Sequence, residues 1–298
     1  MSKIVVVGSA NADLVIHSSR MPLLGETLTG SDFQINAGGK GLNQTVAIAK
    51  LGGDVSFLGA LGDDGNGDML LTCLEENGGT FQGLRLENTP TGVAVITVVS
   101  GDNFIILDPG ANGMLTPEII QENAHIIAES DYCVLQLEIP METICKVCEI
   151  ANANGTKIVL NPAPYQPLPS ALCQQIDYLI PNEHEAFDMT GICLDSDENC
   201  IKAVQKLQQM GISNVIITLG EKGCVYNDGE DIRFCPAQKV TPVDTTSAGD
   251  SFIGAVVTRL QGGASISDAI TYATKVAAIT ISRPGAAKSI PFCHEIRE

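Results

Sequence analysis

Short apolar runs and longer segments with helical spacing alternate along most of the chain. Runs such as KIVVVGS (3–9), YCVLQLE (132–138) and NVIITLG (214–220) are rich in β-branched residues and predict buried parallel strands. Segments such as METICKVCEIANANG and NCIKAVQKLQQMG, which end in glycine, predict helices. This alternation predicts an α/β fold with a doubly wound, mostly parallel sheet flanked by helices.

Three further stretches predict particular elements of that fold. VSFLGALG (55–62) predicts one buried strand, and TPEIIQENAHIIAES predicts one helix with Thr116 as N-cap and Pro117 in its first turn. CVYNDG and EDIRFCPA together predict a hairpin at the sheet edge. Because ligands of such sheets bind beyond the carboxyl ends of the strands, polar residues just after each strand are candidates for a site.

Two β-rich segments interrupt the alternation. Residues 14–36 have short alternating stretches without a helical period and predict antiparallel ribbons, while residues 91–107 predict a hairpin that turns at 100–103. We expect the two segments to pair in a small β-sheet lid beside the main domain. The predicted division is an α/β domain of residues 1–13, 37–90 and 108–298, and a lid of residues 14–36 and 91–107.

Composition and charge narrow the class of protein. The 298 residues are 44% hydrophobic, which allows a sizeable core, and the net charge of −18 repels nucleic acid. No apolar run reaches the length of about 18 residues that a membrane span needs, and the first apolar run is too short for a secretory signal. We therefore expect a cytoplasmic protein without nucleic-acid or membrane partners. Backbone N–H groups and a few cations would have to hold any anionic ligand.

Ten cysteines without a secretory signal predict reduced thiols. Cys145 and Cys148 form a single C-x-x-C pair, with no second pair or histidines at the spacing of a zinc site. On a helix these two residues would share one face as small buried side chains. We therefore predict neither a metal nor a redox role for them.

The stretch PVDTTSAGDSF (242–252) connects Asp244 and Asp250 through small residues and continues into an apolar helix. The first N–H groups of a helix have no intrahelical partner, and the small residues Ala248 and Gly249 leave them open to an anion. A phosphate, or the oxyanion of a phosphoryl transition state, suits such a site. Asp250 beside it could accept the proton of an attacking hydroxyl. The alternative is that Asp250 only caps its helix.

The stretch AGGKGLN (37–43) also leads into a helix. Consecutive glycines let the backbone approach a ligand closely, and Lys40 and Asn43 offer hydrogen-bonding groups for hydroxyls. Asn11 and Asp13, which we expect at the end of the first strand, would add an amide and a carboxylate suited to a polyol. The alternative is a tight turn followed by a helix cap.

The stretch TLGEKG (218–223) follows a strand. It is either an ordinary loop or a place where the backbone contacts a second, phosphate-bearing ligand. Neither G-x-x-x-x-G-K-[ST] nor a complete G-x-G-x-x-G occurs in the chain. A P-loop protein is thereby excluded, and a nicotinamide dehydrogenase loses its main support.

Six motifs, N-A-D, G-G-K-G-L-N, L-N-P-A-P, P-N-E, T-L-G-x-x-G and D-T-T-x-A-G-D, occur in this order. Together they resemble the ribokinase-like family of carbohydrate and nucleoside kinases, across essentially the whole chain. The resemblance implies transfer of the γ-phosphoryl group of ATP to a sugar hydroxyl, with D-ribose O5 as the expected acceptor. It implies that Asp250 is the general base and that Gly249 and Ala248 belong to the anion hole. Magnesium would accompany ATP, supported through water by Asn182 and Glu185.

The resemblance also implies three sets of binding residues. The sugar set is Asn11, Asp13, Gly39, Lys40, Asn43, Glu138 and Asp250. The nucleotide set is Asn182, Thr218, Gly220, Gly223, Gly249 and Thr274. A monovalent cation, usually potassium, would be held by Asp244, Thr246, Thr280, Arg283, Gly285 and Ser289, several of them through backbone carbonyls.

The two β-rich segments resemble the family's lid, which implies a homodimer in which two lids cross. Leu42 departs from the alanine usual in the glycine motif and is a larger side chain near the sugar loop. A sister kinase for deoxyribose, another sugar or a nucleoside therefore stays open. A sugar-binding regulator without catalysis is a further alternative, which the presence of both Gly249 and Asp250 disfavours.

Overall fold

The computed structural model of the protein describes residues 3–99 and 102–296. In chain order its strands are β1 Ile4–Val7, β2 Asn11–Ser18, β3 Ser31–Gly38, β4 Val55–Leu58, β5 Ala60–Gly62, β6 Thr80–Phe81, β7 Leu84–Leu86, β8 Gly92–Val99, β9 Asp102–Asp108, β10 Tyr132–Leu135, β11 Lys157–Leu160, β12 Tyr178–Leu179, β13 Asn214–Thr218, β14 Cys224–Asp228 and β15 Asp231–Cys235. Its helices are α1 Lys40–Lys50, α2 Gly65–Glu76, α3 Pro117–Glu122, α4 Ala124–Ala128, α5 Met141–Asn154, α6 Ser170–Cys173, α7 Glu183–Thr190, α8 Asp197–Gln209, α9 Ala248–Gln261 and α10 Ile266–Ile281.

The larger sheet has nine strands within the described ranges, in the order β15-β14-β13-β12-β11-β10-β1-β4-β6. β1 pairs in parallel with β4 and β10, and the parallel pairing continues from β10 through β13. β14 and β15 are added antiparallel, as the predicted edge hairpin. The predicted α/β architecture is therefore confirmed, and the parallel strands end at a common edge.

Helices cover both faces of this sheet, because successive strand residues point to opposite sides. In β1, Val5 and Val7 belong to one hydrophobic cluster, which includes side chains of α5 and α8, whereas Ile4 and Val6 belong to the cluster that includes α1, α9 and α10. Helix α9 lies directly against α1 at Gly254, where a Cβ would stand 2.6 Å from the Ala47 Cβ. This close packing fixes the two helices that begin with the glycine motifs.

The smaller sheet has the strand order β3-β2-β8-β9. β2 pairs antiparallel with β3 and parallel with β8, and β8 pairs antiparallel with β9. The two β-rich segments therefore pair as predicted, while positions 100 and 101 of the predicted turn lie outside the described residues. The side chains of Phe33, Ile35, Phe104 and Ile106 are exposed on this sheet.

The stretch 55–62, predicted as one strand, is two strands in the structure. Its first half is β4 of the larger sheet, and its second half is β5, which pairs with β7. The break falls at Gly59, where a Cβ would lie 2.9 Å from the Gly8 carbonyl oxygen. The prediction was wrong because continuous hydrophobicity does not reveal that the chain changes sheets.

The stretch 116–130, predicted as one helix, is divided into α3 and α4 at Asn123. The Asn123 side-chain amide donates to the Ile119 carbonyl at 2.9 Å, which satisfies an acceptor at the end of α3. Thr116 occupies the N-cap position as predicted, but its hydroxyl makes no capping hydrogen bond.

Asn11 and Asp13 were expected at the end of the first strand, but they lie in β2 of the smaller sheet. β1 ends earlier, at Val7, and residues 8–10 make the crossing between the two sheets. In the described ranges, no helix combines the length and the apolar character that crossing a bilayer requires.

Candidate active site

The N-terminus of α9 opens into a cavity. Ser247 precedes it with a left-handed backbone (φ 60°), and its carbonyl accepts from the Ser251 amide at 2.9 Å. Within the described residues, the amides of Gly249 and Asp250 have no backbone acceptor. A Cβ at Gly249 would meet no atom within 4 Å, so the space beside it is free. Open donors and free space at a helix start are what an anion site requires.

Asp250 lies in the first turn of α9 and is almost fully buried. Its Oδ2 accepts from Asn43 Nδ2 at 3.1 Å, and its Oδ1 accepts from Gln44 Nε2 at 3.0 Å. Burial raises the pKa of Asp250, while Lys40 and these two amides oppose the shift. Both carboxylate oxygens therefore bond to side chains of α1, which a residue that only capped α9 would not do.

Gln44 had no predicted role in the site. Its Oε1 accepts from Gln136 Nε2 at 2.7 Å, and its Nε2 also lies 3.3 Å from Asn161 Oδ1. Gln44 and Gln136 are both fully buried. The sequence offered one signal for Gln44, which is that it follows Asn43 on the predicted helix. A side-chain amide that is buried there needs hydrogen-bond partners.

The glycine loop brings the start of α1 against the start of β2. Gly39 has φ 89°, and a Cβ there would lie 2.7 Å from Ala10 Cα and from Asn11 N. A Cβ at Gly38 would overlap the Asp13 carboxylate. Glycine at both positions therefore lets Asn11 and Asp13 lie beside α1.

Four carboxylates, three from α9, α7 and β2 and one from the loop after β10, act on the charge of Lys40. Burial by itself lowers the pKa of Lys40, but Asp250, Glu138, Glu185 and Asp13 outweigh it and the pKa is raised. The pKa of Asp13 is raised to about 7, first by burial and then by the charges of Glu138 and Asp250, while Lys40 opposes the shift. Four of the residues assigned to the sugar by resemblance are thus coupled in one charged cluster.

Two side chains without a predicted role hold members of the predicted sugar set. Asn112 Nδ2 donates to Asn11 Oδ1 at 2.8 Å, and Asn112 is itself buried. The Ser9 hydroxyl donates to Glu138, which also accepts from the Lys40 backbone amide at 3.2 Å. These contacts join positions about a hundred residues apart in the sequence, so no local pattern could have revealed them.

The cavity in front of α9 has a volume of about 370 Å³. It is lined by residues from the predicted sugar, catalytic and nucleotide sets, namely Lys40, Asn182, Thr218, Gly220, Ala248, Gly249 and Asp250. Gly223 and Thr274 are not among its lining residues. Gly223, with φ 99°, packs against the Cys235 carbonyl, and the Thr274 hydroxyl donates to the Thr271 carbonyl at 2.9 Å.

Asn182 and Glu185 form a reciprocal cap at the start of α7. The Glu185 amide donates to Asn182 Oδ1 at 2.9 Å, and the Asn182 amide donates to Glu185 Oε2 at 2.8 Å. Burial raises the pKa of Glu185, and the Asn182 amide and Lys40 oppose this shift. Both side chains line the cavity, so a carboxylate lies there together with the predicted nucleotide residues Thr218 and Gly220.

Asp244 joins the segment before α9 to the segment after α10, and the predicted cation ligands lie in these two segments and in the last turn of α10. Its Oδ1 accepts from the Thr246 amide at 2.9 Å, and its Oδ2 accepts from the Gly285 amide at 3.0 Å. Burial acts to raise the pKa of Asp244, but hydrogen bonding from the Thr246 side chain and from the Thr246 and Gly285 amides prevails and lowers it. The structure thus brings the segment before α9 to the segment after α10.

The other members of the predicted cation set already have internal partners. The Thr280 hydroxyl donates to the Val276 carbonyl at 3.0 Å, and the Ser289 hydroxyl donates to the Ala286 carbonyl at 2.8 Å. Arg283 pairs with Glu295 at 2.8 Å. A donating hydroxyl keeps lone pairs on its oxygen, so Thr280 and Ser289 retain side-chain oxygens as well as backbone carbonyls, whereas the cationic Arg283 side chain offers no ligand atom to a monovalent ion.

Cys145 and Cys148 lie on α5, and burial raises the pKa of both thiols, as expected for inert side chains. Across residues 3–99 and 102–296, no group of three or more His, Cys, Asp and Glu side chains has the arrangement of a metal site.

Comparison with known proteins agrees with this geometry. A family model described as "pfkB family carbohydrate kinase" matches residues 1–293. Ribokinase from Lactococcus lactis subsp. lactis is 37% identical over 298 residues, which are 100% of this chain and 96% of the relative. Ribokinase from Haemophilus influenzae is 39% identical over 297 residues, with 99% and 97% covered. Deoxyribokinase from Salmonella typhi is 35% identical over 298 residues, with 99% and 97% covered.

A solved structure matches the fold over nearly its whole length. The structure of Arabidopsis thaliana ribokinase complexed with ribose and ATP has a TM-score of 0.94 at 32% identity. The match covers 99% of this chain and 97% of that one. The predicted ribokinase-like architecture, with a large sheet and a smaller second sheet, is thereby confirmed.

We expect Asp13→Asn to stabilise the ligand-free protein more at pH 8 than at pH 5. The raised pKa of Asp13 means that the folded state resists its ionisation, so the wild type loses stability as pH rises from about 4 to 7. At about 1.4 kcal/mol per pH unit, the benefit of Asp13→Asn should grow by about 1–3 kcal/mol between the two pH values. Urea unfolding of both proteins at pH 5 and pH 8 measures it.

The control is Asp102→Asn, which removes an exposed carboxylate from the same small sheet. It should change the free energy of unfolding equally at both pH values. An Asp13→Asn protein whose advantage over the wild type does not depend on pH would contradict the description of Asp13 as a half-buried carboxylate whose ionisation is opposed by Glu138 and Asp250.

Proposed function

Because this chain belongs to the pfkB family of carbohydrate kinases, we propose that it transfers the γ-phosphoryl group of ATP to O5 of D-ribose and forms ribose 5-phosphate. One observation carries the proposal. A buried carboxylate, Asp250, and the open amides of the α9 N-terminus face the same cavity as Asn182, Thr218 and Gly220. The names of the full-length relatives, ribokinases at 37% and 39% identity, support ribose as the acceptor.

In the proposed reaction, Asp250 is the general base. The acceptor hydroxyl donates to the carboxylate and transfers its proton there as its oxygen attacks the γ-phosphorus, while the bond from that phosphorus to the bridging oxygen of ADP breaks and ADP leaves. The raised pKa of Asp250 suits a group that must take up a proton. Asn43 Oδ1 is buried without a hydrogen-bond partner, so it offers an acceptor to a second ligand hydroxyl.

The γ-phosphoryl oxygens are proposed to lie against the amides of Gly249 and Asp250, where the helix dipole adds to the hydrogen bonds. Lys40 lines the same cavity and supplies positive charge between the sugar and the nucleotide. A chain with a net charge of −18 can then hold a polyanion, because the holding groups are local.

The remaining sugar residues are proposed to be Asn11, Asp13, Gly39 and Glu138, which lie around the start of α1. We keep Gly223 and Thr274 in the proposed nucleotide set, in which they would contact the part of ATP that extends beyond the cavity. Magnesium accompanies the phosphates, and it would neutralise charge that develops on them during transfer. The Glu185 carboxylate on the nucleotide side of the cavity fits the water-mediated support proposed for it.

A potassium ion is proposed beside the anion hole, between the two loops that Asp244 joins. Its ligands would be Asp244 and Thr246 from one loop, and Thr280, Arg283, Gly285 and Ser289 from the other side. Asp244 already binds two backbone amides, so the ion would chiefly take carbonyl oxygens and would draw the loop before α9 into its active position.

A homodimer through the smaller sheet is also proposed, because apolar side chains such as Phe33, Phe104 and Ile106 are exposed on it. Light scattering should give twice the chain mass of 31.3 kDa.

The compartment is proposed to be the cytoplasm.

The function test is an ADP-release assay with ribose, deoxyribose, fructose and adenosine as acceptors. Ribose should give the highest kcat/KM, and Asp250→Asn should lower kcat at least about 100-fold. Calorimetry should find ribose and ATP still bound by that variant. Preference for deoxyribose would favour the sister kinase, of which the 35% identical deoxyribokinase is an example. Ribose binding without any turnover would favour a regulator.

Gly249→Ala tests the anion hole. The added methyl group meets no protein atom within 4 Å, so the variant should fold with at least wild-type stability. The methyl group would nevertheless occupy space meant for the phosphoryl group. Since a misplacement of about 1 Å can cost up to about 100-fold, kcat should fall at least about tenfold.

The matched control is Gly65→Ala, at the start of α2, where a Cβ also meets nothing within 4 Å. This variant should keep both its melting temperature and its kcat. If Gly249→Ala keeps wild-type kcat as well, the anion hole does not lie at α9.

Replacing K⁺ with Li⁺ should lower kcat, because the smaller ion would leave carbonyl oxygens of the two loops poorly coordinated. Asp244→Asn should weaken the dependence on K⁺ by loosening the contact with Gly285. Initial rates over a titration of KCl, at constant ionic strength set with a tetramethylammonium salt, measure both effects. Equal rates with K⁺ and Li⁺ would remove the cation from the proposal.

A further inference from the structure

A chain of buried amides leads from the sheet edge to Asp250. Gln136, just after β10, donates from Nε2 to Gln44 Oε1 at 2.7 Å. Gln44, on α1, donates from Nε2 to Asp250 Oδ1 at 3.0 Å and lies 3.3 Å from Asn161 Oδ1. Asn161 in turn donates to the Ile180 carbonyl at 3.0 Å. All the hydrogen-bonding groups of the Gln44 side chain are therefore used.

The direction of each hydrogen bond follows from the negative charge of Asp250, at which this series of buried amides ends. An ionised carboxylate only accepts hydrogen bonds, so Gln44 must present Nε2 to Asp250. Its Oε1 then points the other way and needs a donor, which Gln136 supplies. Both glutamines are fully buried, so an amide turned the other way would leave polar atoms without a partner. The orientation of the two amides is thus determined by Asp250, and they in turn hold its carboxylate.

The two oxygens of Asp250 consequently have different surroundings. Oδ1 bonds to Gln44, whose amide belongs to the buried chain. Oδ2 bonds to Asn43, a residue assigned to the sugar, at 3.1 Å. We propose that Gln44 is a positioning residue that holds Asp250 Oδ1 and leaves Oδ2 to the substrate hydroxyl, and that Gln136 keeps Gln44 in this orientation. The inference rests on the proposed role of Asp250 as general base.

Gln44 also affects the ionisation of Asp250, since a hydrogen bond to the charged form favours that form. Other charged groups act there too: Lys40 from α1 favours ionisation, and Asp13 from β2 is coupled to Asp250. Glu138, after β10, and Glu185, on α7, act on the same Lys40. None of these groups is altered when Gln44 is changed, so a change in the pH profile can be attributed to the missing amide.

The test compares Gln44→Met and Gln136→Met with the wild type over pH 5 to 9. Methionine keeps the length of the side chain and removes the donor. In Gln44→Met the acid limb of kcat/KM should move to higher pH by at least about one unit, which is a tenfold loss on that limb. Gln136→Met should shift it in the same direction by less, because Gln44 remains but is free to turn. The KM for ATP should stay unchanged in both.

A control separates positioning from simple loss of packing. Asn227 is another buried side-chain amide, which accepts from the Val215 amide at 2.7 Å outside this site. Asn227→Leu should lower the melting temperature without moving the pH profile. If Gln44→Met behaves like Asn227→Leu, or keeps the wild-type profile, the positioning role is wrong.

A measurement on the ligand-free protein separates this inference from the proposed reaction. Without Gln44 the folded state should resist ionisation of Asp250 more strongly, so the stability deficit of Gln44→Met should grow from pH 5 to pH 8. In an Asp250→Asn background the Gln44→Met deficit should no longer depend on pH. A deficit that is independent of pH in both backgrounds overturns the inference. Wild-type turnover by Asp250→Asn would instead overturn the role of Asp250 as base.

Discussion

The hydrogen bonds from two amides of α1 to the buried carboxylate of Asp250 on α9 are the contact on which the site depends. A desolvated charge is costly unless donors and an opposite charge accompany it. Asn43, Gln44 and Lys40 supply both from a single helix. The close packing of α1 on α9 at Gly254 keeps the two ends of this contact together. The glycine-rich starts of the same two helices then face one cavity, in which an acceptor hydroxyl and a phosphoryl group can meet.

This arrangement explains how so acidic a chain can act on polyanions. The groups that favour an anion are local: the amides of Gly249 and Asp250, the dipole of α9 and the Lys40 ammonium. Carboxylates around Lys40 raise its pKa, so its charge persists at any physiological pH. The remaining acidic residues can lie on the surface, where they do not affect the phosphates at short range.

Much of the fold could be predicted, because buried parallel strands and amphipathic helices have distinct periods. The failures have specific physical causes. At Gly59 one apolar run of the sequence passes from one sheet to another. At Asn123 a side-chain amide ends helix α3, although the hydrophobic pattern of the sequence continues beyond it. The two glycine motifs were predicted to lead into helices, and both do. Gln44, Gln136 and Asn112 were missed because each is identified only by a partner far away in the sequence.

The sequence by itself determined which residues can do the chemistry: a carboxylate after small residues at a helix start, and two glycine-rich turns. These are local properties, set by side-chain size and by the unpaired N–H groups of a helix. Only the tertiary structure decided which of these residues act together. It joined Asp250 to α1, left Gly223 and Thr274 outside the cavity lining, and gave Asp13 a pKa of about 7. The physical reason is that burial and charge coupling depend on distances in space, which a linear pattern does not contain.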